Sequence, residues 1–403
     1  MKILTVNNTA DIYGASRCLE RVFGRFAEDG HEVHAVLPEH GPLAELLQAH
    51  GITVHIHQGL STIDRAQLKA PIGALRFAVM FPVSVIWLAA LIVRLHIDVV
   101  HSNTVVLPSP ALAAALTGRK HVWHVRELLG EFGALWKPFQ RYVHGLSAAI
   151  VAISKCTQDQ FDMKLRDKIQ VIYDGIDAAD GRVDLERSGA FRARFAAAER
   201  LVGVVGRIKF HRKGQEVLIR AACMVKERFP SVHYVVIGSA SPGNEDHVTW
   251  LKALIAECGL QEAVTLTGDM TGLPDLFAAM DIAVAPSVQA EPFGCVVMEA
   301  MAVGTPVLGS RGGGIAEQIA DGETGILFTP GDEKELAAAL ERLLGDEALR
   351  ERMGAAGPAH VKARFHLDGT YREMLALFER VSGTAGEADK IAGQPQERPN
   401  AGI

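Results

Sequence analysis

Cysteine is scarce and scattered in this chain. Its five cysteines, Cys18, Cys156, Cys223, Cys258 and Cys295, form no C-x-x-C pair in 403 residues. That excludes a disulfide framework or a clustered zinc site as the organising feature and fits a reducing compartment. A basic excess is also missing. The formal charge is −6 and the pI is near 6.2, which argues against a general nucleic-acid binder. The first residues, Met1-Lys2-Ile3-Leu4-Thr5-Val6, read as a β-strand and lack the pattern of a signal peptide, so a cytoplasmic location is expected. One apolar run, 77–93, is broken only by Pro82 and Ser84 and bounded by Arg76 and Arg94. Its 17 residues stand at the lower edge of a transmembrane span. The proline near its middle, and the strand pattern Asp98-Val99-Val100-His101 after it, favour a helix packed on a sheet or lying at a membrane surface. The sequence leaves membrane contact by 77–93 open.

What is present is a two-domain pattern. The length exceeds one ordinary core, and 48% hydrophobic content can fill two. Strand candidates begin at Lys2, His31, Thr53, Asp98, His121, Ala149 and Ile169. A second series begins at Leu201, Val232, Ala263, Asp281, Pro306 and Gly325. Amphipathic stretches such as 15–28, 214–229 and 332–344 fall between them. This alternation predicts an α/β chain with parallel sheets covered on both faces. The polar passage 177–200 is the expected interdomain boundary. It separates a domain of residues 1–177 from one of 178–366, and the Gly-, Ala-, Pro- and charge-rich end, 383–403, reads as a disordered tail. Ligands of doubly wound domains sit beyond the carboxyl ends of strands, so two such domains, if they faced each other, would leave one deep cleft.

The most informative segment joins a Phe-Gly turn to a helix of small residues. It runs Glu291-Pro292-Phe293-Gly294-Cys295-Val296-Val297-Met298-Glu299, and ends near Gly304 and Pro306. A carboxylate stands at each end, with the free N–H groups of a helix N-terminus between them as an anion site. That polarity suits a sugar, a diphosphate and a ribose in a row. The basic cluster Gly206-Arg207-Ile208-Lys209-Phe210-His211-Arg212-Lys213-Gly214 begins where the second series' first strand ends. Arg207 and Lys213 there suit a pyrophosphate, although a solvated loop carries the same composition. Gly14, between strand one and the first helix, permits close approach of a phosphate or serves an ordinary turn; the full G-x-G-x-x-G fingerprint is absent. In His121-Val122-Trp123-His124-Val125-Arg126-Glu127, the two histidines point to opposite faces of a strand, which disfavours a metal pair. His124 is either a hydrogen-bonding or acid/base group at the cleft, or structural. The glycine cluster 309–317 reads as a wall beside the anion site or as a loop.

With these residues assembled, the chain resembles the family 4 retaining glycosyltransferases of the GT-B fold over nearly its whole length, tail excluded. The resemblance rests on Glu291-x7-Glu299 with its continuation through Gly304-x-Pro306-Val307 and 313–317. Arg207 with Lys213-Gly214, and His124 with Arg126-Glu127, add to it. Tyr173-Asp174-Gly175-Ile176-Asp177 looks like the family's Asn-Gly-Ile-Asp segment with Asp174 in place of Asn, and Gly14 stands alone where a Gly-Gly pair is usual. The resemblance implies two Rossmann-like domains facing a central cleft, with a helix at 367–382 crossing back to the N-terminal domain. It implies that Glu299 binds ribose hydroxyls and Glu291 a hydroxyl of the donor sugar. Phe293, Gly294, Cys295 and Val296 line the donor, with backbone contacts from the first two. Arg207 and Lys213 neutralise the leaving diphosphate, and His124 contacts the transferred sugar. It also implies retention at the anomeric carbon. The chain has no D-x-D triplet, so no metal site and no cofactor are expected; the nucleotide-sugar is a substrate.

The acceptor is less legible. Arg17, Arg21 and Arg25 recur every four residues on the first helix, and together with Arg126 they are the candidates for contact with the acceptor or an anionic membrane. A solvated charged face gives the same pattern. The expected partners are a nucleotide-sugar and a glycan or lipid-linked acceptor, with peripheral contact at the inner face of the plasma membrane and no nucleic acid. Two other functions fit the same residues: a nucleotide-sugar epimerase of related fold, and a non-catalytic sugar-nucleotide-binding subunit.

Overall fold

Thirteen short apolar runs become strands because parallel strands buried on both faces need near-continuous β-branched and aliphatic sequence. The computed structural model describes residues 1–63, 71–177, 181–240 and 243–383. The described strands are β1 Lys2–Val6, β2 Glu32–Leu37, β3 Thr53–Ile56, β4 Val99–Ser102, β5 Lys120–Val125, β6 Ala149–Ala152 and β7 Ile169–Val171. After these come β8 Arg200–Val205, β9 Val232–Ile237, β10 Val264–Gly268, β11 Ile282–Ala285, β12 Val307–Ser310 and β13 Gly325–Phe328. Each begins within one residue of its expected start. The helices are α1 Gly14–Glu28, α2 Pro42–Ala49, α3 Pro71–Leu95, α4 Ser109–Leu116, α5 Trp136–Leu146, α6 Lys155–Asp159, α7 Leu185–Ala193 and α8 Gln215–Val225. They continue with α9 Asp246–Glu257, α10 Leu273–Ala278, α11 Cys295–Ala302, α12 Gly313–Gln318, α13 Glu333–Gly345, α14 Glu347–Arg364 and α15 Leu367–Ser382.

The strands form two sheets, ordered β3-β2-β1-β4-β5-β6-β7 and β10-β9-β8-β11-β12-β13. Their described pairings are parallel, as between β1 and β4 and between β8 and β11. Strand order reverses at those two pairs, and there the loops splay apart to leave room for a ligand. On one face of the first sheet Leu4 and Val6 pack with Leu88 and Ile92 of α3 and Ala113 and Ala114 of α4, and Leu19, Phe23 and Phe26 of α1 fill the other face. Leu367, Tyr371, Met374, Leu377 and Phe378 of α15 belong to that same core. The chain therefore returns to its first domain at its end, with Phe26 and Phe378 stacked at 5.4 Å. The second sheet has α8, α9 and α13 on one side. On the other, a core built around Phe277, Phe293, Met298 and Phe365 also takes in Ile153 and Ile176 from the first half of the chain.

Two segments cross between the sheets side by side. Ile176 pairs with His366 in an isolated parallel bridge. Its N–H donates to the Phe365 carbonyl at 2.9 Å, and Leu367 N–H donates to the Ile176 carbonyl at 3.0 Å. The polar passage 177–200 is not wholly irregular. It holds α7, capped by Asp184, because Phe191 and Phe195 supply an apolar side that packs into the second core. Residues 178–180 of that passage, and 384–403 of the expected tail, lie outside the described residues.

Candidate active site

The β8 end and the turn before α11 meet where the second sheet's order reverses. Glu291 is 9% exposed; its Oε1 lies 2.9 Å from Lys213 Nζ and accepts from Ser287 Oγ at 3.1 Å. Gly294, with φ +86°, ends the Phe-Gly turn in the left-handed region that favours glycine. The Phe293 ring is buried. Gly313 holds the opposite wall: a Cβ there would stand 2.2 Å from the Glu291 carbonyl oxygen. The glycine cluster is thus a close-packed support, and Gly314 N–H donates to that same carbonyl at 2.8 Å. Cys295 and Val296 open α11, and Glu299 follows one turn later, 8% exposed.

The first domain closes over these residues along α1 and the turn before it. The Arg207 guanidinium lies over the Tyr13 ring at 3.6 Å. Cys18 and Cys295 approach to 3.5 Å between sulfurs. Arg21 Nη2 is 3.6 Å from Glu299 Oε1. Gly14, the first residue of α1, would place a Cβ 3.9 Å from the Cys295 sulfur. A further latch was not anticipated from sequence: Glu317 accepts from Lys155 N–H and Cys156 N–H, both at 2.9 Å, and from Tyr173 Oη at 2.9 Å. Ser154 Oγ donates to the Pro292 carbonyl at 2.6 Å.

The three arginines of α1 do not form an outward stripe. Arg21 is turned into the seam, its side chain 11% exposed, and is paired with Glu299. Arg25 pairs with Glu28 and Asp368, and Arg17 lines a cavity of about 340 Å³ with Arg21, Leu273 and Glu299. The expected membrane-facing position of Arg21 is corrected by this packing, because the second domain covers it; the Arg25 side chain stays 36% exposed beside Asp368 of α15. Arg126 is likewise not a surface group. It is 7% exposed, and it donates to Asp174 Oδ2 at 2.6 Å and Asn103 Oδ1 at 2.9 Å. Asn103 in turn donates to Asn7 Oδ1 at 3.0 Å, tying the ends of β1 and β4 together.

His124 stands near the end of β5, 3% exposed, with Nδ1 3.3 Å from His101 Nε2. Burial first, then the Arg126 and His101 charges, hold its imidazole well below the ordinary histidine range, so it is neutral at pH 7. Its Nε2 has no partner among the described residues. Metal ligation was not expected from the sequence, yet the fold brings together one trio among the described residues. Ligand atoms of Cys18, Asp174 and Cys295 lie within 4.8 Å of one another. Sequence reasoning also missed Gln318. Its side-chain amide donates to the Phe293 carbonyl and to the Gly294 carbonyl at 3.3 Å, while its oxygen accepts from Met298 N–H at 3.2 Å. It pins the anion turn, but it stands 20 positions from Met298, so local pattern does not reveal it.

This geometry has relatives. Residues 190–360 match the profile of glycosyl transferases group 1, and residues 12–180 match that of Glycosyltransferase Family 4. The chain is a family 4 glycosyltransferase. It is 36% identical over 184 residues to a D-inositol 3-phosphate glycosyltransferase of Stackebrandtia nassauensis, an alignment covering 44% of this chain and 41% of that one. It is 29% identical over 267 residues to an uncharacterised glycosyltransferase of Methanocaldococcus jannaschii, covering 62% and 66%. This glycosyltransferase therefore spans about half the length of the curated relatives it matches. Among solved structures, Anabaena HepE in complex with UDP and glucose superposes with a TM-score of 0.80 at 25% identity, covering 94% of this chain and 99% of that one. Sucrose-phosphate synthase of Thermosynechococcus elongatus, at 21% identity and a TM-score of 0.76 over 95% and 100%, shares the fold. The two-sheet GT-B architecture expected from the sequence is thereby shown.

Proposed function

We propose that this family 4 glycosyltransferase moves a sugar from a nucleoside diphosphate to a hydroxyl acceptor, with retention and without a metal. The observation that carries the reading is the row Glu291, Lys213, α11 N-terminus, Glu299 at the carboxyl edge of the second sheet. On the first domain, His124 near the end of β5 is the neutral imidazole that this reading assigns to the transferred sugar. Departure of the donor's diphosphate builds negative charge, and preorganised cations and amides stabilise that charge most where water is excluded. Lys213 and Arg207 supply the cations, and α11 supplies the amides. Glu299 takes the ribose hydroxyls, at the edge of the cavity it shares with Arg17, Arg21 and Leu273. Glu291 holds a sugar hydroxyl, and its pairing with Lys213 marks it as a positioning group rather than a nucleophile. The acceptor then attacks from the face the diphosphate leaves, with the departing phosphate aiding its deprotonation. In this reading Lys213 and Arg207 do the work of a metal clamp, in keeping with a chain that has no D-x-D triplet. Uridine donors come first for testing because HepE was captured with UDP and with UDP-glucose.

Membrane contact belongs to α3. The helix is long and apolar enough, by length and composition, to cross a membrane. Its buried side, Val85, Leu88, Leu91 and Ile92, is spent on the first sheet. Ile72, Leu75, Val79, Val83, Ile86 and Val93 are exposed. Spaced three or four apart, with Ala90 completing the series, they make one apolar stripe about 30 Å long. Arg76 and Arg94 fall at equivalent rotations along one border of that stripe. Such a helix suits the plane of an anionic interface, and it supports reading the acceptor as a glycan or lipid-linked saccharide at the cytoplasmic side of the plasma membrane.

Two measurements test these readings. Thermal-shift screening against UDP-, GDP- and ADP-sugars identifies the donor, since a ligand bound only by the folded state raises its apparent stability. Release of nucleoside diphosphate that depends on an added hydroxyl acceptor establishes transfer. Conversion of the donor without an acceptor would point to an epimerase, and binding without turnover to a subunit. For the membrane, liposomes with anionic lipid should float the wild type, and Val79/Val83/Ile86→Ser should stay behind. Equal flotation of both sinks the docking surface.

A further inference from the structure

Closure of the seam is the feature that the transfer chemistry leaves unexplained. Between Lys213, Glu291, Gly294 and Val296 the remaining cavity is about 30 Å³, room for about one water molecule. The residues lining it all belong to the second domain, and α1 with the Tyr13 turn rests on the first turn of α11 and on Arg207, so a diphosphate reaching those groups from the seam has to displace them. Three contacts hold them down, at Tyr13, Cys18 and Arg21. The outer two are non-covalent and exchangeable. The middle one pairs two thiols 277 positions apart in sequence and 3.5 Å apart in space.

We propose that Cys18 and Cys295 are an oxidation site at which a peroxide forges a disulfide across the two domains, locking the donor cleft shut. Both cysteines are free thiols in the structure. A disulfide needs the sulfurs to close to about 2.05 Å, a movement of about 1.5 Å that a helix resting on another helix's first turn accommodates. Access sets the order of events. Cys295 is part-exposed and Cys18 is 1% exposed, so the oxidant meets Cys295 first. Its thiolate attacks one peroxide oxygen, the O–O bond breaks, and sulfenic acid and water form after proton uptake. Cys18 then attacks the Cys295 sulfur, the S–O bond breaks, and the hydroxide leaves as a second water. Two thiols are oxidised to one disulfide and one hydrogen peroxide is reduced to two waters. Asp174 is placed to take the Cys18 proton. Its carboxylate belongs to the same 4.8 Å cluster, and its Oδ1 has no hydrogen-bond partner among the described residues. The Cys18 thiol is held well above its ordinary pKa, by the hydrogen bond with Cys295 first and burial second. It stays protonated until an electrophilic sulfur is presented to it.

A metal would use the same three residues less well. The Arg126 guanidinium sits 2.6 Å from Asp174 Oδ2 and opposes a second cation there. The other near pair, Cys223 with Cys258, lies within the second domain and cannot close the seam.

The functional effect rests on the donor-site reading above; the cross-link does not. The full chain, reduced and then treated with hydrogen peroxide, should yield a peptide joining Cys18 to Cys295 in non-reducing mass mapping. UDP binding should weaken by about tenfold or more, because the binding-competent open population is depleted, and a thiol reductant should restore it. Cys18→Ala, or Cys18→Ser should alanine loosen the core, should bind UDP like the reduced wild type and ignore peroxide. Cys223→Ala should remain sensitive. Absence of the linked peptide from natively folded protein overturns the proposal, as does an equal loss of UDP binding in the Cys18 variants. A reduced protein that fails to bind UDP sinks the uridine donor reading, and the linked peptide still decides the oxidation site.

Discussion

The two walls of the cleft solve different problems with polar groups. On the first domain, His124, Arg126, Asn103 and Asp174 are all nearly fully buried. Their bonds run mainly to one another, as from Arg126 to both Asp174 and Asn103. On the second, Lys213 keeps a 34% exposed side chain, and Glu299 is held at 3.6 Å by Arg21 from across the seam. The first wall is a fixed framework whose loss costs folding. The second carries groups whose present partners a phosphate or a ribose replaces.

The comparison breaks most sharply at Asp174. Replacing it by alanine strands the Arg126 guanidinium without its buried partner, at a cost of about 3–5 kcal/mol, read as a lower urea midpoint. Asp174→Asn should recover part of that loss. A cost below about 1 kcal/mol, the size of an exposed pair, would put Arg126 on the same footing as Lys213. Lys213→Ala should do the opposite. Stability should change little, and turnover with a saturating nucleotide-sugar should fall about 10²–10³-fold, the usual scale for removing one preorganised charge-stabilising group.

Within the second wall, Glu299→Ala should weaken nucleotide binding about tenfold, near 1.4 kcal/mol, and more than Glu291→Ala does. The reverse order in calorimetry would mean that the ribose and sugar ends have been exchanged. The smallest effect is in pH. Burial pushes His121 down from 6.5 to about 3, and burial with Arg126 holds His101 and His124 well below 6.5. The unfolded chain takes up those protons near pH 6.5 and the folded one does not. Their stabilisation is therefore complete above that pH and declines as pH falls below it. His121→Gln should flatten the decline by about 1 kcal/mol between roughly pH 6.5 and 5.5; an unchanged slope would show that His121 is not buried neutral.

Much of the fold was legible because buried parallel strands must be apolar, and turns such as Gly294 need residues with special backbone freedom. Glu291, Lys213 and Glu299 were legible for a related reason: strand ends and helix starts are defined locally. Arg21 was not. Its period-four spacing with Arg17 and Arg25 states that they share a helix side, and nothing about which domain will come to rest there. Gln318 and Glu317 escaped for the same reason, since their partners at Phe293 and Lys155 are set by tertiary packing. Asp174 was noticed as a departure from Asn, but its bond to Arg126 spans 48 positions and has no local signature.

The return of α15 to the first sheet has a consequence for biosynthesis. Tyr371, Met374 and Phe378 complete a core whose other members include Ile3, Phe23 and Phe26. The domain translated first is thus the one that finishes last. Its apolar face must wait through the synthesis of the entire second domain, about 10 to 40 seconds at ordinary ribosome speeds, before its final helix emerges. During that interval the nascent chain presents an unfinished surface to chaperones, while the later-made domain has its own strands in hand. Order of translation and order of completion run in opposite directions in this molecule.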